Sequence, residues 1–182
     1  MASAFSHAVI AVVVGKAWAR CTLPMRFWGL SILCALLPDL DVIGFAIGIE
    51  YGHLLGHRGL THSLPFALGL SLVVVWVGFP AIEQWSRSWW GLIAHFFLVT
   101  ASHGFLDAIT DGGLGVAFFA PFDNARYFLP WRPVKVSPIG VSPFFTQYGL
   151  EVLISELIWI WIPAGLMLVA AMALRKRSVN GS

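Results

Sequence analysis

Positions 89–111 read "WWGLIAHFFLVTASHGFLDAITD", an apolar run long enough for one membrane crossing that nevertheless carries His103, Asp107 and Asp111. About 20 predominantly apolar residues cross a hydrocarbon core of about 30 Å. An ionisable side chain near the centre of that core costs at least ~2.5–3.5 kcal/mol on insertion scales, so each one needs a partner or a use. The spacing i, i+4, i+8 puts the three groups on one helix face.

The rest of the chain agrees with a membrane setting. Of 182 residues, 58% are hydrophobic and 11% charged, with a mean hydropathy of +0.81. That composition describes an integral membrane protein and leaves no room for a separate soluble domain, so residues 1–182 are expected to form one unit. Apolar segments fall at 4–19, 26–49, 61–82, 89–111 and 150–174. The first is short for a crossing and needs tilt, a thinned bilayer or a re-entrant path. The fold class expected is all-α: a polytopic transmembrane helical bundle of about five spans, with a long outer loop at 112–149 between the last two. That loop is rich in Pro, Gly and aromatic residues, as suits an irregular interfacial segment with a function.

Lys16 and Arg20 follow the first apolar run instead of preceding it, which is the reverse of a signal peptide and predicts a retained helix with its N-terminus outside. With five spans, Lys16, Arg20, Arg26, Arg87 and the "RKR" at 175–177 share one side, while Arg58, Arg126, Arg132 and Lys135 share the other. The richer side is cytoplasmic by the positive-inside rule. A net charge of +2 with no basic stripe argues against nucleic acid as a partner. Cys21 and Cys34 lack CxxC spacing and indicate neither a thiolate metal site nor a disulfide framework. No internal repeat is visible, which counts against an inverted-repeat transporter.

On this topology the acids and histidines converge on the outer leaflet. His7 opens the first span, Asp39 and Asp41 of "LLPDLDVIG" lie in the outer half of the second, His62 opens the third, and His103, Asp107 and Asp111 close the fourth. The topology used only Lys and Arg, so this clustering is an independent observation. Histidine and carboxylate ligands without thiolates suit zinc or another first-row divalent ion, manganese included. The surplus of ligands over one tetrahedral ion suggests two ions at the ~3.5–4 Å spacing of metal-assisted hydrolysis. His53 and His95 have no acid nearby in sequence and are expected to be helix-to-helix hydrogen-bonding groups. Asp123 and Glu50 lie in loops as solvated carboxylates, and "RKR" is a topology anchor.

With those residues assembled, the chain resembles the YdjM-type family of membrane-bound metal-dependent hydrolases. The resemblance rests on "SHA" at His7, "LLPDLD" at 36–41, "HRGLTHS" at 57–63, "HGFLD" at 103–107 and "APFDNARYFLP" at 120–130, in the family's order. It implies a bacterial inner-membrane location and a helical fold distantly similar to zinc-dependent phospholipases C and related nucleases. The ligands it implies are His7, Asp39, His62, His103 and Asp107. It includes His57 in the motif as a ligand, a residue behind the ligands or a proton donor, and Asp41 and Asp111 as ligands or as groups that orient ligand histidines. One departure is "HGFLDAITDGG", more small and polar than in relatives.

These readings lead to an expected metal-dependent hydrolase cleaving a phosphate ester of a lipid or lipid-linked molecule at the outer, periplasmic face. Arg58 and Arg126 are the candidate phosphate clamps, because guanidinium forks fit phosphate oxygens; either is alternatively an interface anchor. The rival readings are a metal-ion or proton transporter and a membrane amide hydrolase. A transport path needs polar residues through both leaflets. Glu151 and Glu156 again sit near the outer end of their span.

Overall fold

The computed structural model describes residues 1–19 and 22–180. Arg20 and Cys21 lie outside the described residues, as does the side chain of Arg177. The elements are α1 (Ala4–Trp18), α2 (Met25–Leu36), a 3₁₀ segment (Leu37–Ile47), a 3₁₀ turn (Leu60–His62), α3 (Leu64–Gly78), α4 (Arg87–Ala108), a single turn α5 (Val141–Phe144), α6 (Gln147–Glu156), a π-helical stretch (Leu157–Trp161) and α7 (Ile162–Asn180). Among the described residues there is no strand, only isolated bridges between Thr110 and Val134 and between Val116 and Tyr127.

All five apolar segments form helices. Among the described residues, three helical runs are long and apolar enough to cross a membrane: Met25–Ile47, Arg87–Ala108 and Gln147–Lys176. The two shorter apolar helices, Ala4–Trp18 and Leu64–Gly78, have 15 residues each. At 1.5 Å per residue each reaches about 22 Å, short of the hydrocarbon core. The third segment is therefore shorter than the apolar run at 61–82 implied. Its start is fixed by Ser63, whose hydroxyl accepts from Phe66 N at 3.1 Å ahead of Pro65, and Pro80 follows its end.

Helix α4 is the centre of the bundle. In its apolar window 61% is buried, against 22% and 11% for the other two long runs, and it packs on α1, α2 and α3. Its N-terminus is capped by Ser86, which accepts from Trp89 N at 3.2 Å. Around it Phe27, Val75, Phe96, Val99 and Ala11 form the main apolar cluster. Close approach relies on small residues: a Cβ on Gly15 would stand 2.6 Å from the Trp28 ring. Helix α7 lies against α1 and turns Leu166, Met167 and Val169 outward, the surface expected to face lipid.

The segment between α4 and α6 is folded. It hydrogen-bonds back onto the bundle through Ala117 N to Arg58 O at 3.0 Å, Leu64 N to Phe118 O at 2.9 Å and Leu129 N to Ala108 O at 3.0 Å. One sequence inference fails here. Helix α4 ends at Ala108, so the i, i+8 relation does not carry Asp111 onto the face of His103 and Asp107.

Candidate metal centre

Two local departures from α-helix aim the acids. After Leu36 the chain tightens into an 11-residue 3₁₀ run with Pro38 in its first turn. Such runs seldom exceed three or four residues, and a longer one often marks a functional site. Its tighter winding sends Asp39 toward His7, His62 and His103, while Asp41 faces His57 and His62. The 3₁₀ turn Leu60–His62 then inserts His62 between the two aspartates.

Five side chains from four elements meet at one buried point: His7 of α1, Asp39 of the 3₁₀ run, His62 of the 3₁₀ turn, and His103 and Asp107 of α4. His62 Nε2 stands 3.1 Å from His103 Nε2, 3.7 Å from Asp39 Oδ1 and 3.5 Å from Asp107 Oδ2. His103 Nε2 lies 3.3 Å from Asp39 Oδ1, and His7 Nε2 lies 3.6 Å from Asp107 Oδ1 and 4.0 Å from Asp39 Oδ2. Donors about 2.0–2.2 Å from a tetrahedral ion stand roughly 3.3–3.6 Å apart, and the separations of 3.3, 3.5 and 3.6 Å fall in that range.

The proton positions point the same way. His103 Nδ1 is 2.7 Å from the Ala35 carbonyl, which only accepts, so Nδ1 carries the hydrogen. His62 Nδ1 is 3.1 Å from both Thr61 Oγ1 and Asp41 Oδ2. The Thr61 hydroxyl gives its hydrogen to Asp41 Oδ2 at 2.6 Å, so His62 Nδ1 is again the donor. Two Nε2 lone pairs then face each other at 3.1 Å, which requires a proton or a cation between them. A proton would serve those two atoms only. His7 Nδ1 and Nε2 and both Asp39 oxygens are buried without hydrogen-bond partners, and a buried polar atom left so costs about 1–3 kcal/mol. A divalent ion answers for His7 Nε2 and Asp39 as well, and the donor set fits one.

The residues behind the ligands are also in place. Asp41 accepts from Thr61 and contacts His57 Nδ1 at 2.7 Å, forming the carboxylate–histidine arrangement that fixes a metal ligand's tautomer. His57 Nε2 is buried without a partner. His57, Asp41 and His62 form a second group able to hold an ion, sharing His62 with the first. His7 stacks on His103 with ring centroids 3.6 Å apart.

Arg58 is fully buried and donates Nε to Asp107 Oδ2 at 3.1 Å, Nη1 to Gly112 O at 2.8 Å and Nη2 to Thr110 Oγ1 at 2.9 Å. It adopts a left-handed backbone conformation at φ 62°, uncommon for a side chain of this size, and Gly113 at φ 91° leaves its guanidinium room. A Cβ on Gly113 would stand 2.6 Å from Arg58 Nη1. Arg126 donates to the carbonyls of His57, Tyr51 and His53 at 2.9, 3.0 and 3.2 Å and lies over the Tyr51 ring. In this arrangement the two arginines hold Asp107 and the 51–57 loop. Burial lowers the Arg126 pKa from its ordinary value and raises that of Tyr51.

Asp111 is not part of the cluster. It is exposed, and its Oδ1 accepts from Val136 N at 2.8 Å. His95 bonds across helices to Ser31 Oγ at 2.9 Å, as expected of a structural histidine. His53 differs: it is exposed in the loop and takes Leu55 N on its own Nδ1 at 3.1 Å. One contributor had no signal in the sequence: Ala2 N donates to Asp107 Oδ1 at 2.7 Å. Glu156 was visible as an acid near the outer end of its span, but its partner was not: wholly buried, it accepts from Ser3 N and Ser3 Oγ at 2.5 Å each. Backbone donors and long-range partners leave no local pattern to read.

A helical membrane protein with a buried histidine–aspartate cluster able to hold metal is the class that fold and site define. The model of the YdjM inner membrane protein family matches residues 1–178, and the chain belongs to that family. Inner membrane protein YbcI of Escherichia coli (strain K12) is 38% identical over 180 residues, covering 97% of this chain and 100% of the relative. No solved structure matches. An inner-membrane location fits both the family and the apolar helices.

Proposed function

We propose that this chain is a metal-dependent hydrolase that cleaves a phosphate ester of a lipid or lipid-linked molecule at the outer face of the membrane, with zinc as the ion and manganese as its closest substitute. The observation that carries the reading is the set of orphaned atoms: His7 and Asp39 buried without hydrogen-bond partners beside two inward-facing histidine nitrogens. A divalent ion bound there supplies Lewis-acid polarisation of a phosphoryl oxygen and activates water at neutral pH. His7, Asp39, His62, His103 and Asp107 would hold it. Arg58 and Ala2 N orient Asp107, and Asp41 orients His62 and His57. His57 Nε2, buried and without a hydrogen-bond partner, would serve as proton donor to the leaving group. Asp111 takes no part in this reading.

The lipid substrate is supported by an apolar groove of about 400 Å³ beside the N-terminal segment, bordered by Met1, Ser3, Phe5, Phe144 and Phe145. Residues 1–3 form both a wall of the groove and, through Ala2 N, a contact to Asp107. A chain lying there would bring its head group to the cluster. Passage of ions is less well supported, because Leu92, Ile93, Phe96 and Val99 fill the interior along α4 below the site. The outer location is supported by the distribution of Lys and Arg over a path of five crossings, in which the two short helices would span by local thinning.

The test is head-group or phosphate release from a panel of phospholipids, isoprenoid phosphates and ceramides by purified protein with zinc. Phosphate-ester cleavage lost in His57→Gln and His103→Ala supports the reading. Ceramide cleavage alone would make it an amide hydrolase, and metal uptake into vesicles with no hydrolysis would make it a transporter.

A further inference from the structure

The opposite end of α4 carries a second, unassigned cavity. Asp107 and Arg87 are 20 residues apart on one helix, about 30 Å at 1.5 Å per residue, which matches the hydrocarbon thickness. Around Arg87 the ends of α1, α2 and α4 enclose a cavity of about 1030 Å³ walled by Trp18, Phe27, Phe79 and the arginines Arg26, Arg87 and Arg175. That volume is at the top of the ~300–1,000 Å³ range of small-ligand sites.

Its charge is one-sided. Among the described lining residues there is no carboxylate, and neither Arg26 nor Arg87 forms an ion pair. The Arg26 guanidinium lies 5.0 Å over the Phe79 ring, which fixes it at the wall and leaves its N–H edge for an acceptor. Arg175 is tied to the α1 end through the carbonyls of Ala17 and Ala19 and serves as wall. Ring and aliphatic surfaces below two guanidiniums match a molecule with an anionic head and apolar tails. We infer that this cavity binds an anionic phospholipid of the cytoplasmic leaflet, its phosphate held by Arg26 and Arg87 and its upper chains against Trp18, Phe27 and Phe79.

The site is separate from the metal centre, so it is tested without any hydrolysis assay. Purified protein in phosphatidylcholine nanodiscs is compared with protein in discs containing phosphatidylglycerol, and with phosphatidylcholine discs in millimolar inorganic phosphate. The readouts are thermal midpoint and lipid retained in native mass spectra. The expected result is retained phosphatidylglycerol and a midpoint raised by several degrees, with both effects lost in Arg26→Gln/Arg87→Gln and kept in Arg26→Lys/Arg87→Lys. Lys16→Gln/Lys176→Gln removes the same charge from this end without touching the cavity lining and should keep the response. An equal response to phosphatidylcholine, an equal response to inorganic phosphate, or an equal loss in the lysine pair would overturn the inference. If the arginine pair does not fold, phosphatidylglycerol failing to co-purify with the wild type would overturn it as well.

Discussion

Asp107 shows how much of this centre depends on single side chains. Each of its oxygens takes one hydrogen bond, from Ala2 N and from Arg58 Nε, and keeps a lone pair toward a histidine. Arg58 in turn spends three directions of its fork on Asp107, Thr110 and Gly112, which a lysine cannot do. Breaking a buried pair by removing one partner costs about 3–5 kcal/mol. Arg58→Gln is therefore expected to lower thermal stability in detergent by that order and to weaken metal retention, and Arg58→Lys should stay nearer the Gln variant than the wild type. A wild-type melting curve for Arg58→Gln would show that the guanidinium does not support Asp107. The arginine was noticed in the sequence for its phosphate-binding chemistry. Its structural partners were not legible, because Thr110 and Gly112 lie more than 50 positions away.

At the scale of elements, the helices were readable because apolar runs and Ser caps act locally, as at Ser63 and Ser86. The 3₁₀ run after Leu36 was not, although Pro38 flagged a change, since the tightening is set by what Asp39 and Asp41 must reach. Nor was the end of α4: the residues after Ala108 keep a helical pattern, but Ile109 and Asp111 bond to the 134–136 segment instead. The connecting segment has its own pH-sensitive clasp. The Ala125 N–H and the Tyr127 hydroxyl hold the exposed Asp123 carboxyl below its ordinary range, and that contact raises the Tyr127 pKa. A lowered folded pKa means the clasp is complete above the unfolded carboxylate pKa of about 4 and is lost as pH falls through the folded value. Hydrogen exchange at Ala125 should rise with acidification below pH 4, beyond the intrinsic change, and Asp123→Asn should remove that excess.

For the whole molecule, orientation and chemistry are one question, because the cluster and the arginine cavity occupy opposite ends of α4. In a background with Cys21→Ser and Cys34→Ala, a cysteine at exposed Phe122 should react with a membrane-impermeant maleimide on intact spheroplasts, and one at exposed Glu83 only after lysis. The reverse pattern would put the metal centre on the cytoplasmic side. The set His7, Asp39, His62, His103 and Asp107 came from the family resemblance; that acids and histidines converge at one end was legible because they are expensive in a membrane and the Lys/Arg topology put them on one side, Asp41 and Asp111 included. Which atom meets which was not, since 96 residues separate His7 from His103. The most direct test of the account is metal analysis of protein purified without added metal, wild type beside Asp39→Ala and His103→Ala, each checked for folding by its melting curve. The account predicts at least one zinc or other divalent ion per wild-type chain and its loss from both variants. Metal-free wild type that stays metal-free on zinc addition, or equal stoichiometric metal in all three proteins, would contradict it.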